Sequence, residues 1–409
     1  MSYQSNTLKK IFHKTRRVLA KAWLAQFHPI QIGITGSQGK TNTAEIVYTF
    51  LKNFGNTVRT DLSLDTTYNV PITAFKVRPW TKFIVWELGI DKIGEMDMHH
   101  EIAHPTISCI TGISPVHTDK EHMGSLNNLI SQKRRIIEHL PKTGVAILNH
   151  DNEYILKMLP YTKAKVLWYG STPDCDMYVD TNSIKVDLWG TSANFHIKNQ
   201  VTFKTIKLKT QLIGTHHVYN IMCSYLICQS ALPNIDILEQ FTDILSKIKP
   251  LSGRMSIEKG PLNTILLNDS LRANPESTNS GLMTLKTIPY FKGRKIAVIG
   301  EMGELENPES EHKKTGNLLA QLNFDLVVCI GTLRKHTVDE GILRGLPQEK
   351  IIYAKDVFEA AEILRKNLKK GDLWYLKGSL LRNYKRIIKL LNNEKVCCNA
   401  IICPYSHCK

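Results

Sequence analysis

The 409-residue chain contains no uninterrupted apolar run long enough to cross a bilayer, so no transmembrane helix is expected. Its first residues lack the continuous apolar segment of a secretory signal, so export is not expected either. Internal repeats and low-complexity tracts are absent, which excludes a repeat array. Acidic residues are scarce: 37 Asp and Glu stand against 53 Lys and Arg, and the first acid in the chain is Glu45. The resulting net charge of +16 suits an anionic substrate, nucleic acid or a membrane surface. No nucleic-acid-binding signature accompanies it, so a nucleotide and an anionic small molecule are expected, and no nucleic acid. Five of the nine cysteines, Cys109, Cys175, Cys223, Cys228 and Cys329, are scattered and read as reduced, buried thiols of a cytosolic protein. The other four crowd the C-terminal tail.

A hydrophobic content of 42% and a charged content of 22% describe an ordinary globular chain, and its length calls for two or three domains. Residues 1–29 form a basic amphipathic segment. Leu8, Ile11, Phe12, Thr15, Val18, Leu19, Ala22 and Trp23 recur at helical spacing among Lys9, Lys10, Lys14, Arg16, Arg17 and Lys21. Such a helix either packs on its own domain or lies on an anionic membrane surface, and both readings stay open. From Gln31 to about Pro250, strand-like runs such as Phe83–Leu88, Thr106–Ile113 and Val145–Leu148 alternate with helical patterns, as in a mostly parallel sheet. Residues 165–210 alternate at shorter range and suggest a small antiparallel layer, followed by a helix at Tyr219–Leu232. A second α/β unit opens near Leu251, with strands expected at Thr264–Leu267, Lys295–Ile299, Leu326–Ile330 and Leu373–Leu376. The organisation expected is a helix (1–29), a central phosphate-loop domain (30–250), a Rossmann-like domain (251–394) and a Cys-rich tail (395–409).

The most informative stretch is Thr35-Gly-Ser-Gln-Gly-Lys-Thr41, between an apolar strand-like run and a helical pattern carrying Ala44, Ile46, Val47, Phe50 and Leu51. Gly36 and Gly39 let backbone N–H groups close on phosphate oxygens, in a loop whose nucleotide-binding candidates include Ser37 and Gln38. Lys40 can reach the outer phosphates and the Thr41 hydroxyl suits Mg²⁺. The first glycine of the general phosphate-loop spacing is replaced by Ile34, leaving T-G-x-x-G-K-T. Two further residues fall at strand ends on the same expected sheet edge. Glu87, in Val85-Trp-Glu-Leu-Gly89, is a candidate Mg²⁺ ligand, and His117 closes the run Thr111-Gly-Ile-Ser-Pro-Val-His117.

Together these residues resemble the Mur ligase family, from about Gln31 to Asn392. Glu87-Leu-Gly89 with Gly94-Glu95 looks like the family's acidic strand end. His117, Gly124-Ser125 and Lys133 follow its His…G-S…Lys run, and Asn149-His-Asp151 its N-x-D turn. Gly214-Thr-His216 with Asn220, Gly253-Arg254-Met255 and Asn268–Ser277 follow in order, then Gly300-Glu-Met302 with Glu304-Leu305, His312 and Gly316, and Lys377-Gly-Ser379.

The resemblance implies an α/β fold, a phosphate-loop Mur-ligase ATPase domain followed by a Rossmann-like domain, with ATP in the cleft between them. It implies ATP-dependent amide-bond formation through an acyl phosphate in peptidoglycan precursor synthesis, with D-Ala-D-Ala joined to a UDP-muramoyl peptide by a cytoplasmic monomer. The residues would divide as follows. Gly36–Thr41 hold ATP, Thr41 and Glu87 one Mg²⁺, and His117 a second metal; Lys133 matches a lysine that is often carbamylated. Asn220 and Arg254 contact nucleotide, Asp269 the ribose, and Asn274, Ser277 and Lys377 the incoming amine. A Mur-like ligase of pseudomurein or polyglutamate type, and a non-catalytic nucleotide-binding protein, stay open as alternatives.

Several positions depart from the family pattern. Asn268, Leu271 and Arg272 stand where the family has Asp, Tyr and Asn; Gly112 and His217 each replace an Asn; and Leu380 falls where an Arg is expected, with Arg382 nearby. The family's UDP-gripping N-terminal domain has no counterpart before Gln31, where only the basic segment stands. In the tail, Cys397, Cys398, Cys403, His407 and Cys408 supply enough ligands for a structural Zn²⁺, though not at standard spacing.

Overall fold

The computed structural model describes residues 7–61, 66–115, 118–199, 202–379, 382–400 and 402–403. The chain divides into two compact units: residues 1–183, 193–209 and 216–247 form the first, and 184–192, 210–215 and 248–409 the second.

The first unit opens with helix α1 (Thr7–Leu24), held by its inner face. Ala20 and Leu24 are buried, Trp23 Nε1 donates to Val77 O at 3.1 Å, and Arg17 pairs with Glu101 at 3.2 Å. Strand β1 (Ile30–Thr35) then leads through the glycine loop into α2 (Lys40–Leu51). Next come β2 (Asn56–Arg59), α3 (Thr66–Ala74), β3 (Thr81–Glu87), α4 (Glu95–His100), β4 (Ile107–Ile110), α5 (Leu126–Glu138), β5 (Val145–Asn149), α6 (Glu153–Leu156), β6 (Lys165–Gly170) and β7 (Met177–Val179). After β8 (Lys185–Asp187), β9 (Gly190–Asn199) and β10 (Thr202–Thr210) follow α7 (His217–Ala231) and α8 (Leu238–Lys247).

The strand order among the described residues is β10-β9-β7-β6-β5-β4-β1-β3-β2, with β8 on β9. From β2 to β7 every pairing is parallel. Helices cover this part of the sheet, so β4 is buried at every position and β3 at all but two, which explains their unbroken apolar runs. Two expectations change here. Residues 165–210 are antiparallel only in part: β6 and β7 continue the parallel sheet, and the expected antiparallel pairing begins where β9 joins β7 and β8. The run Thr106–Ile113 is a strand only over Ile107–Ile110, because Thr111 and Gly112 turn away to bond the glycine loop.

The second unit has β11 (Ser256–Lys259), β12 (Ile265–Asp269), α9 (Pro275–Thr287), β13 (Lys295–Gly300), α10 (Pro308–Leu322), β14 (Leu326–Ile330), α11 (Arg334–Leu343), β15 (Ile351–Ala354), α12 (Val357–Asn367), β16 (Leu373–Lys377) and α13 (Lys385–Leu391). Its sheet runs β11-β12-β16-β13-β14-β15, parallel except for β11, and apolar cores fill both faces. This is the doubly covered α/β arrangement expected of a Rossmann-like domain.

Candidate active site

Strand β1 is paired in parallel on both sides, with Ile34 opposite Glu87 of β3 and Cys109 of β4. The loop after β1 therefore emerges between the carboxyl ends of its two neighbours, where the strand order reverses and open α/β sheets bind ligands. Gly36 and Gly39 adopt φ of 146° and 80°. A Cβ on Gly36 would stand 2.1 Å from Thr111 Oγ1, and one on Gly39 2.7 Å from Asn220 Oδ1. Only glycine fits this backbone at this packing distance.

The loop is braced from β4. Thr111 Oγ1 lies in hydrogen-bond reach of Gln38 O, Ser37 N donates to Gly112 O at 2.7 Å, and Ser37 Oγ donates to Ser114 O at 2.9 Å. These bonds hold Ser37, and with it the loop, against the end of β4. Lys40 Nζ donates to Gly36 O at 2.6 Å, and Lys133 Nζ, from the buried face of α5, donates to the same oxygen at 3.1 Å. Thr41 Oγ1 donates to Glu87 Oε1 at 2.9 Å. A hydroxyl and a carboxylate converging beside a phosphate loop are the hard oxygen donors that Mg²⁺ selects, so the residues fit that ion. Asn220 and His217 sit buried at the start of α7, 3.3 Å apart. Burial, with His216 alongside, holds the His217 imidazole well below its ordinary range and therefore neutral. His117 lies outside the described residues.

In the second unit, Asp269 and Lys377 end the neighbouring strands β12 and β16 in register. Lys377 Nζ donates to Asp269 Oδ2 at 2.7 Å, and Tyr375 OH donates to the same oxygen at 2.9 Å. Burial lowers the Lys377 pKa, against the raising effect of Asp269, while Arg254 lowers it further. Asn274 and Ser277 form a reciprocal capping box at the start of α9: Ser277 N donates to Asn274 Oδ1 at 2.8 Å and Asn274 N to Ser277 Oγ at 3.2 Å. Glu301, directly after β13, is also buried. It accepts from Leu333 N at 2.8 Å and pairs with Arg382 at 3.3 Å. His312 Nε2 accepts from Met302 N at 3.2 Å, and its Nδ1 bonds Pro308 O at 2.6 Å.

Residues 34–228 match the Mur ligase middle domain, and residues 253–380 match the Mur ligase glutamate ligase domain. The chain belongs to the Mur ligase family. It is 28% identical to the UDP-N-acetylmuramoyl-tripeptide–D-alanyl-D-alanine ligase of Escherichia coli over 320 residues, 76% of this chain and 66% of that one. The Bacillus subtilis enzyme of the same name is 27% identical over 373 residues, 91% and 78% of the two chains. The chain thus spans 66% of the length of the first relative and 78% of the second. Among solved structures, MurF from Acinetobacter baumannii superposes with a TM-score of 0.81 at 21% identity, covering 93% of this chain and 81% of that one. MurF from Thermotoga maritima in complex with ADP gives 0.77 at 23%, covering 93% and 84%. At these identities the likeness is one of fold.

In this Mur ligase, Gly36, Gly39, Lys40, Thr41, Glu87, Lys133 and Asn220 gather around one loop, and Asp269 pairs with Lys377 in the second unit. Asn274 and Ser277 spend their side chains on each other. The sequence reading missed Thr111 as the loop's brace; a Thr-Gly pair ending the strand beside β1 is the signal that marks it. It also missed Arg334, a fully buried guanidinium whose Nε donates to Gly300 O at 2.8 Å. Nothing local in the sequence distinguishes that arginine from a surface one. In the tail, the sulfurs of Cys398 and Cys403 lie 3.6 Å apart, and buried Arg386 holds the backbone oxygens of Cys398 and Ala400 at 2.7 Å. That sulfur spacing fits two thiolates of one zinc ion. His407 and Cys408 lie outside the described residues, among which no group of three or more metal-ligating side chains occurs.

Proposed function

We propose that this chain is an ATP- and Mg²⁺-dependent ligase of peptidoglycan precursor synthesis. It joins the amine of D-alanyl-D-alanine to a carboxylate of a UDP-N-acetylmuramoyl tripeptide. The observation that carries the reading is the glycine loop at the end of β1, with Thr41 Oγ1 and Glu87 Oε1 converging 2.9 Å apart beside it. The names of the relatives supply the substrates. In the reaction, a carboxylate oxygen takes the γ-phosphoryl group and ADP leaves. The amine then attacks the acyl carbon, loses a proton, and displaces phosphate. Phosphoryl transfer asks the protein chiefly for alignment and charge neutralisation.

The amides of Gln38–Thr41 and the Lys40 ammonium hold the β- and γ-phosphates, while Ser37 N stays on Gly112 O and fixes the loop. Thr41 and Glu87 hold Mg²⁺, which when bound neutralises phosphate charge. His117 is the candidate ligand for a second metal. Lys133, whose Nζ lies beside the loop 3.1 Å from Gly36 O, is the candidate for carbamylation. Asn220 and Arg254 serve the nucleotide and Asp269 its ribose. Lys377, Asn274 and Ser277 are the candidates on the amine side. The tail cysteines are read as a possible structural zinc site, with Cys398 and Cys403 its described members.

The deciding experiment measures phosphate release from ATP and Mg²⁺ with UDP-muramoyl-tripeptide, with and without D-Ala-D-Ala. Release that needs both, with the amide identified by mass, supports the reading. ATP binding without release under any combination sinks it, and release with a different amine replaces the acceptor pair.

A further inference from the structure

We propose that the outward face of α1 is a docking surface for an anionic lipid bilayer. An amphipathic helix on a globular domain has one apolar stripe, turned inward. This helix has two. Its inner face, with Ala20, Trp23 and Leu24, packs on the first unit. The outer face carries Ile11, Phe12, Val18 and Leu19, each 56–61% exposed. At about 100° per residue these four fall, with Ala22 and Thr15, into one arc of about 120° that contains no charge. Burial against the described residues therefore does not account for them.

Charge identifies the occupant. Lys14 and Lys21 are exposed at the border of the arc, and Arg16 lies over the Phe12 and Tyr68 rings, 5.8 and 5.6 Å from their centroids. No acidic residue precedes Glu45, while positions 9, 10, 14, 16, 17 and 21 are all Lys or Arg. An apolar stripe flanked by cations is what a helix lying in the headgroup region of an anionic leaflet requires: the apolar side chains enter the acyl boundary and the lysines meet phosphates. A second copy of this chain would bring the same lysines against each other, which disfavours self-association through this face. No helix among the described residues is long and apolar enough to cross a membrane, so the contact is one of surface attachment. The proposal does not depend on the reaction proposed above.

The test is co-sedimentation of the full chain with vesicles of phosphatidylcholine alone, and with vesicles in which about a quarter of it is replaced by phosphatidylglycerol. The expected result is partitioning into the anionic vesicles on the order of tenfold or more above the neutral ones, weakened by added salt. The pair F12S/L19S, at exposed positions, should lower it by a similar factor with the circular-dichroism melt and ATP turnover unchanged. The pair K14E/K21E should remove the preference for anionic lipid. Equal sedimentation of wild type and F12S/L19S overturns the proposal. So does equal binding to both vesicle types, or light scattering that shows a dimer which F12S/L19S dissolves.

Discussion

Lys40 and Lys133 both donate to Gly36 O at the phosphate loop. The Lys40 ammonium beside the loop amides favours an anion there, as phosphate binding requires. K40A should lower the turnover number for ATP by on the order of 10²–10³ while leaving the thermal midpoint nearly unchanged, since the side chain serves the ligand rather than the apolar core. Phosphate release and a melting curve on the same sample check both parts. Glu87→Gln keeps an oxygen for the Thr41 hydroxyl but removes the charge. The Mg²⁺ concentration for half-maximal turnover should rise by about tenfold or more, and an unchanged Mg²⁺ dependence removes Glu87 from the metal site. The glycines, Lys40, Thr41 and Glu87 were legible in the sequence because each is specified by its immediate neighbours. Thr111 was not, because it acts on Gln38 from 73 residues away. Arg334 was hidden for the same reason: its guanidinium bonds Gly300, 34 residues earlier.

At the level of elements, parallel strands were legible as apolar runs and the antiparallel pairing around β9 as short alternation, whereas the parallel pairing of β6 and β7 within that region was not legible. Alternation reports one solvated face, and it does not report which sheet a strand joins. The segment Asn268–Ser277 combines a strand end with a helix start, and the two predict different things. Asn274 caps α9, with Pro275 at its first turn. Asn274→Ala should cost about 1 kcal/mol of stability in urea unfolding. Asn274→Asp keeps the cap, so full activity in that variant assigns Asn274 to helix capping alone, and lost activity at retained stability assigns it to substrate. Helix α10 carries a second test. Burial, with Arg334 adding to it, lowers the His312 imidazole from 6.5 to about 3. Between those values the unfolded chain binds a proton that the folded chain refuses. Stability from this group is therefore complete above about 6.5 and lost as pH falls toward 3. His312→Asn should flatten the acid limb of the stability curve by up to about 1.4 kcal/mol per pH unit, one proton's worth, and an unchanged slope assigns that limb to other groups.

At the scale of the whole molecule, the net charge of +16 acts on every anionic ligand at once. A positive field raises the encounter rate with a UDP-linked peptide, whose diphosphate and carboxylates are negative, and salt screens it over about 8–10 Å. D-alanyl-D-alanine is a zwitterion with no net charge and has no comparable reason to be steered. Raising the ionic strength from low to about 0.5 M should therefore raise the KM for the UDP-muramoyl peptide several-fold, leave that for D-alanyl-D-alanine almost unchanged, and change kcat little. Measuring the two constants in one salt series separates steering from a general loss of active enzyme, because general loss lowers kcat without favouring either substrate. If both KM values rise together, the charge acts on the fold or on ATP binding rather than on capture of the acceptor. The surplus of lysines would then be explained by the solvated surface and the outer face of α1 instead.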